Sequence, residues 1–338
     1  MSEKRKLGNS ELFVTPVGLG CMGFSHAYGA PTEKSEAVKM IRKAFDMGYN
    51  FFDTAECYIG TNADGSMSFN EKLVGEALRD VRDKVVIATK FGVEHCSTGL
   101  LTDSSPETIR QAVEGSLVRL GVDCIDLYYQ HRVDPKVEPE IVAEVMKELI
   151  KEGKIRYWGI SETDEAYLRR ANAVCPVTAI QNRYSMLARE HEMLFCIAVT
   201  GQTAFALEEL NVAFVAFSPL GNGFLSGKYD ANSKFENGVD FRSHMPQYTK
   251  EGFEAGRELM ELLNKMAEEK GATSGQISLA WMMCKKPYII PIPGSRKEER
   301  LKENIGSKDV VLSDKEIAVI DDLLDKMDMP VYGQSAKK

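Results

Sequence analysis

The chain has 338 residues, 43% of them hydrophobic and 27% charged, values ordinary for a globular protein able to bury a sizeable core. Its 42 basic and 50 acidic side chains leave a net charge of −8 without long like-charge runs, which speaks against nucleic acid as a partner and for small molecules. The first residues contain no apolar signal core and no stretch approaches the ~18 apolar residues of a membrane span, so a cytoplasmic chain with no membrane contact is expected.

In chain order, a small hairpin over residues 4–7 turns through Gly8 and Asn9. Short apolar runs then recur at 17–19, 50–53, 85–89, 125–130, 157–160, 179–181, 214–217 and 289–291. The stretches between them carry helical spacing: Ala37, Met40, Ile41, Ala44 and Phe45; Ile109, Val113 and Leu117; Val142, Val145, Met146 and Leu149. Pro106 and Glu107 behind Ser104 and Ser105, and Ser161 with Asp164, mark helix starts. Eight strand-helix units in about 300 residues fit a closed parallel barrel better than an open sheet. The expected class is α/β, a (β/α)8 TIM barrel with an N-terminal β-hairpin and a C-terminal extra helix over 313–327. Residues 221–252, rich in Gly, Asn and polar groups, read as a lid. No Pro-, Gly- or Ser-rich linker divides the chain, so one domain over 1–338 is expected. Its 7 cysteines form no close pair and are odd in number, which indicates neither a disulfide framework nor a zinc ribbon.

Functional side chains of such barrels sit where strands end, because the loops after the strands build the active face. The second run ends in Asp53-Thr54-Ala55-Glu56-Cys57-Tyr58, the third in Thr89-Lys90-Phe91 and the fourth in Tyr129-Gln130-His131. Taken singly, a loop tyrosine packs, a lysine is solvated and a histidine is a satisfied core or surface group. Three successive strand ends change that, since Asp53, Tyr58, Lys90 and His131 would meet in a small volume. There a phenol can donate a proton, and an ammonium paired with a carboxylate would bring its pKa down from about 10.

These motifs resemble the aldo-keto reductase family. The resemblance runs from about Lys6 to Asn304 and includes Ala88-Thr89-Lys90-Phe91-Gly92, Asp126-Leu127-Tyr128-Tyr129-Gln130-His131, Gly159-Ile160-Ser161, Gln181-Asn182-Arg183-Tyr184-Ser185, Phe217-Ser218-Pro219-Leu220-Gly221 and Pro291-Ile292-Pro293-Gly294-Ser295-Arg296. It implies that Tyr58 is the general acid, that Lys90 and Asp53 form the ion pair that tunes it, and that His131 orients a substrate carbonyl. Donors aimed at that oxygen would stabilise the charge that hydride arrival builds on it. For the cofactor it implies that Gly20, Cys21 and Met22 border the nicotinamide, that Ser161 and Gln181 bond its carboxamide, and that Phe217 stacks on its ring. Glu162 stands where many members have Asn. Ser218, Pro219, Leu220 and Gly221 follow, with the Gly221–Gly227 loop offering backbone amides to the pyrophosphate. Gly294, Ser295, Arg296, Arg300, Glu303 and Asn304 would take the adenosine end, and two guanidinium forks there favour a 2′-phosphate, hence NADPH. The bland reading has Arg296 and Arg300 pairing with Glu299 and Glu303 on the surface. The implied reaction is NADPH-dependent reduction of an aldehyde or ketone on a small-molecule carbonyl substrate.

Gly18, Gly20 and Gly23 spell a dinucleotide-binding glycine pattern, but that motif needs a helix opening at once and an acidic residue about 20 positions on, and residues 24–31 are irregular. His191-Glu192 lacks the second histidine of a zinc helix, and His26, His95 and His244 show no ligand spacing, so no metal is expected. A Schiff-base aldolase built on Lys90 would leave Tyr58 and the cofactor motifs without a purpose. A non-catalytic NADPH-binding regulatory subunit of a larger assembly remains the alternative. The chain departs from the family near Cys196 to Ala204, where several residues appear inserted, and at Thr61 to Met67, which lengthens a loop beside the cleft. Phe24, His26, Phe91, Arg132 and the 222–250 segment are candidates for the cleft wall. Oligomeric state is open.

Overall fold

The structure is a computed structural model that describes residues 4–96, 99–194, 205–236, 238 and 240–332. Eight parallel strands succeed one another around the sheet in chain order: β1 (Leu19–Gly20), β2 (Phe51–Asp53), β3 (Val86–Phe91), β4 (Ile125–Gln130), β5 (Ile155–Ser161), β6 (Ala179–Arg183), β7 (Ala213–Phe217) and β8 (Ile289–Pro291). Gly18 N donates to Pro291 O at 3.0 Å and Gly20 N to Pro293 O at 3.4 Å, which joins the first strand to the last. The fold is the (β/α)8 barrel that the alternation of runs predicts. All eight runs are strands, although β1 starts two residues later than expected.

Alternation along each strand sorts side chains into two layers. Phe51, Val86, Ala88, Leu127, Tyr129, Ala179, Val215 and Ile290 fill the barrel interior, and Phe52, Ile87, Tyr128, Ile160, Ile180, Phe214 and Ile289 pack outward under the helices. The hairpin pairing Arg5–Lys6 with Phe13–Val14 belongs to the interior cluster through Leu7, Leu12 and Val14. Gly159 is required by this packing. A Cβ there would lie 2.4 Å from the Tyr129 ring and 2.4 Å from Ala179 O.

The helices are α1 (Lys34–Asp46), α2 (Asn70–Leu78), α3 (Pro106–Leu120), α4 (Pro139–Lys151), α5 (Glu165–Val174), α6 (Ala206–Leu210), α7 (Lys250–Ala255), α8 (Arg257–Lys270), α9 (Ser274–Lys285), α10 (Glu298–Gly306) and α11 (Asp314–Lys326). Their ends follow local chemistry. Ser105 caps α3 by accepting from Thr108 N, Pro106 takes its first turn, and Gly121 at φ 67° closes it. Asp164, not Ser161, caps α5; Ser161 is the last residue of β5. Ser313 and Glu316 form a capping box at α11. After Gly23 the chain makes a single 3-10 turn, Met22–Phe24, and α1 opens only at Lys34, so no dinucleotide helix follows the glycines.

Two hairpins are new relative to the sequence reading: Ile59–Thr61 with Met67–Phe69, and Val93–Cys96 with Gly99–Thr102. The segment 221–252 runs through 3-10 turns at Gly221–Ser226, Phe241–His244 and Pro246–Tyr248. It meets the β1 loop where Phe241 N donates to Ala27 O and Asn222 Nδ2 to the Tyr28 hydroxyl. The insertion at 196–204 lies outside the described residues. Among those described, no helix is long and apolar enough to cross a membrane, and no His, Cys, Asp and Glu cluster could hold a metal ion.

Candidate active site

Strand parity aims the chemistry. Asp53 follows Phe51 by two residues, Lys90 follows Ala88, Gln181 follows Ala179, Phe217 follows Val215 and His131 follows Tyr129, so all five point inward at the C-terminal end of the barrel. Register brings them level: Asp53 opposes Ala88, Lys90 opposes Tyr129, and Ser161 opposes Gln181. Tyr58 comes off β2 on a loop, and its backbone is held by Asn70 N donating to Tyr58 O and Tyr58 N to Ala55 O. Asp53, Tyr58, His131, Ser161, Gln181 and Phe217 line one cavity of about 1110 Å³, with Lys90 buried behind Asp53 and Tyr58.

Lys90 is fully buried, and its three ammonium hydrogens find three acceptors: Asp53 Oδ1 at 2.5 Å, Thr54 O at 2.8 Å and the Tyr58 hydroxyl at 3.3 Å. Gln181 Nε2 donates to the other Asp53 oxygen at 2.7 Å. Burial disfavours the ammonium, but Asp53 and Tyr58 more than offset it and hold Lys90 protonated. The expectation of a phenol lowered below 10 is not met. Burial pushes the Tyr58 hydroxyl up to about 12, and the pull of Lys90 only limits that rise. Tyr58 is thus kept as a protonated donor. The His131 ring lies 5.6 Å from the Tyr58 ring, and Cys57 Sγ is 3.4 Å from its Nδ1. Burial, reinforced by Lys90 and Arg132, drives His131 well below the usual histidine value, so the imidazole is neutral.

Most of the expected cofactor residues share this cavity. Gly20, Met22, Ser161, Gln181, Phe217, Ser218, Pro219, Leu220, Gly294, Ser295, Arg296, Arg300, Glu303 and Asn304 all line it. Cys21 does not. One step past the inward Gly20, it faces the outer layer, fully buried, with Sγ toward Leu19 O. Gly221 is off the cavity too. Its amide and that of Gly223 are bonded to Ser218 O and Leu220 O, while Gly223 itself lines the cavity. Glu162 adopts φ 54°, a left-handed conformation that Asn takes more readily than Glu, and its carboxylate accepts from Arg183 N. Arg296 precedes α10. It donates to the carbonyls of Tyr28 and Ala30, while Arg300 lies 5.9 Å from the Tyr229 ring centre. Neither pairs with Glu299 or Glu303 among the described residues; Glu303 Oε1 accepts from Thr273 instead.

Of the cleft-wall candidates, His26 and Arg132 are on the cavity, whereas Phe24 and Phe91 are buried in the outer layer. The 222–250 segment reaches the cavity through Asp240 and Arg242 among others, whereas the sequence reading missed Tyr28, His95 and Tyr332 in the wall. His95 arrives on an unread hairpin and sits 4.6 Å from the His26 ring. Burial holds His26, His95 and His131 all below 6.5. Because the folded values are the lower ones, acid favours the unfolded chain, which binds more protons. The stability they contribute is full above about pH 6.5 and lost as pH falls toward the folded values. The melting temperature should therefore drop between about pH 7 and pH 5, and less so in His131→Asn. A slope identical in that variant would mean His131 is not held neutral.

Comparison with known proteins agrees with this geometry. The family model described as the Aldo/keto reductase family matches residues 16–325. A relative from Glycine max, "Probable aldo-keto reductase 1", is 38% identical over 319 residues, covering 93% of this chain and 87% of that one. Among solved structures, a glycerol dehydrogenase from Gluconobacter oxydans superposes with a TM-score of 0.81 at 28% identity over 99% of both chains. An aldo-keto reductase from Bacillus halodurans in its holo form gives 0.74 at 25% identity over 100% of both. With eight parallel strands, inward strand-end residues and a family match across nearly the whole chain, this protein belongs to the aldo-keto reductase family of nicotinamide-dependent oxidoreductases.

Proposed function

We propose that the protein reduces an aldehyde or ketone to the alcohol with NADPH, using Tyr58 as the proton donor. The observation that carries this is the buried chain from Gln181 through Asp53 and Lys90 to the Tyr58 hydroxyl in the wall of one large cavity. When bound, the reduced nicotinamide supplies hydride to the carbonyl carbon. Tyr58 then gives its proton to the oxygen, and the adjacent Lys90 ammonium stabilises the phenolate left behind. His131 is a neutral second donor. The Cys57 thiol, which burial holds up at about 12, keeps its proton and can donate it to Nδ1, the arrangement in which the ring hydrogen sits on Nε2.

The donor set suits that cofactor. Gln181 turns its amide nitrogen toward Asp53, so its carbonyl oxygen is left to accept from a carboxamide. Ser161 adds a hydroxyl and Phe217 an aromatic face. At the other end, Arg296, Lys297 and Arg300 gather three cations around the cavity, a set suited to a 2′-phosphate. Replacing Arg300 by Ala should weaken NADPH binding on the order of 10- to 100-fold and leave NADH nearly unchanged, as measured by quenching of protein fluorescence. Equal loss for both cofactors would remove the 2′-phosphate assignment. Arg296→Ala should also loosen the β1 loop, whose carbonyls it holds.

The primary test follows NADPH oxidation with 4-nitrobenzaldehyde, repeated with NADH. Turnover that prefers NADPH supports the proposal. Tight NADPH binding without turnover would instead point to a regulatory subunit.

A further inference from the structure

Resting on the reductase reading, we infer that Arg132 anchors a carboxylate on the substrate, so that the pocket is built for oxo acids or aldehyde acids. Arg132 follows His131 directly and lines the same cavity as Tyr58. Its Nη1 donates to His131 O at 2.6 Å and to Ser161 Oγ at 3.2 Å, and its guanidinium carbon stands 5.7 Å from the Phe217 ring centre. These contacts fix the side chain through one nitrogen and one face. Among the described residues, the Nε and Nη2 edge makes no hydrogen bond, and no carboxylate lies within 4.0 Å of the guanidinium.

Of the cations by the cavity, those assigned to the 2′-phosphate share that absence, and others are paired. Arg242 pairs with Asp240, Arg183 with Glu190, and Lys90 with Asp53. A half-buried guanidinium without a counterion is costly unless something else supplies the negative charge. The open edge is a planar pair of donors matched to the two oxygens of a carboxylate. The cofactor does not provide that anion on this reading, because its phosphates lie toward Arg296 and Arg300, whereas Arg132 shares its wall with His131 and Ser161. The surrounding imidazoles are no substitute for the cation. Burial first, then His26 and Arg132 at His95 and Lys90 and Arg132 at His131, keep both rings down.

The test compares 2-, 3- and 4-formylbenzoate with their methyl esters at saturating NADPH, in the wild type, Arg132→Met and Arg132→Lys. The three isomers vary the distance from carbonyl to carboxylate. For at least one isomer the wild type should show a higher kcat/KM for the acid than for the ester. Arg132→Met should lower that acid-to-ester ratio on the order of 10- to 100-fold, chiefly through KM, with Arg132→Lys in between. Preference for the ester at all three positions, or a ratio unchanged in Arg132→Met, overturns the assignment. So does an equal loss for acid and ester accompanied by weakened NADPH binding, which would assign the guanidinium to the cofactor. Should Arg132→Met fail to fold, the wild-type preference and Arg132→Lys still decide. Turnover of esters alone sinks only this proposal, whereas no turnover of any aldehyde withdraws the reductase reading and this one with it.

Discussion

Tyr58→Phe should lower kcat for aldehyde reduction by about 10²- to 10⁴-fold while NADPH affinity stays unchanged, the scale expected for loss of a positioned general acid. The substitution keeps the ring, and with it the contact to His131 and the packing against Ala55, Cys57 and Val93. What goes is the hydroxyl, one of the three acceptors around the Lys90 ammonium. KM should move little, because the group acts where charge develops on the oxygen. The wild-type pH profile gives a second reading. A phenol at about 12 remains protonated through the working range, so kcat/KM for reduction should not fall through ionisation of Tyr58 below roughly pH 10. Turnover unaffected in Tyr58→Phe would move the acid elsewhere, with His131 the next donor to examine.

The parts of this site that were legible in the sequence are those that a strand dictates. Asp53, Lys90, Ser161, Gln181 and Phe217 each end or directly follow an apolar run, and period-two alternation turns them inward with the apolar residues of the same face. The same rule explains a miss: Cys21 lies one step from Gly20 and therefore points outward. Tyr58 was legible by motif, since a loop has no period, while His131, one residue past β4, keeps the parity of Tyr129. The unread residues come from loops placed by distant contacts. Tyr28 is set against the 222–250 segment where Phe241 N meets Ala27 O, more than 200 positions away in sequence. Tyr332 is drawn in by Gln247 Oε1 accepting from its amide and by its ring against Phe241. No local pattern records such pairings. The direction of the Tyr58 shift was misjudged for a related reason: the Lys90 charge is visible in the sequence, but the burial that outweighs it is a property of the assembled barrel.

The Asp53 and Lys90 pair ties that chemistry to stability, and Lys90→Met separates the two. The substitution fills a similar volume but leaves Asp53, 3% exposed, with Gln181 as its remaining partner, and strands Thr54 O. Breaking a buried pair on one side costs about 3–5 kcal/mol, or about 4–7 °C in Tm for a chain of this length. The deficit should shrink in acid. Without Lys90, the buried Asp53 has a folded pKa raised above its unfolded value, so protonation stabilises the folded state and the cost grows as pH rises through that range. Adding Asp53→Asn removes the stranded charge and should recover much of the melting temperature. Activity should not return with it, because the phenolate formed at Tyr58 would still lack its ammonium. Thermal melts at about pH 5 and pH 8, alongside aldehyde turnover, read both effects; if the double variant melts no higher than Lys90→Met, the uncompensated charge is not what destabilises it.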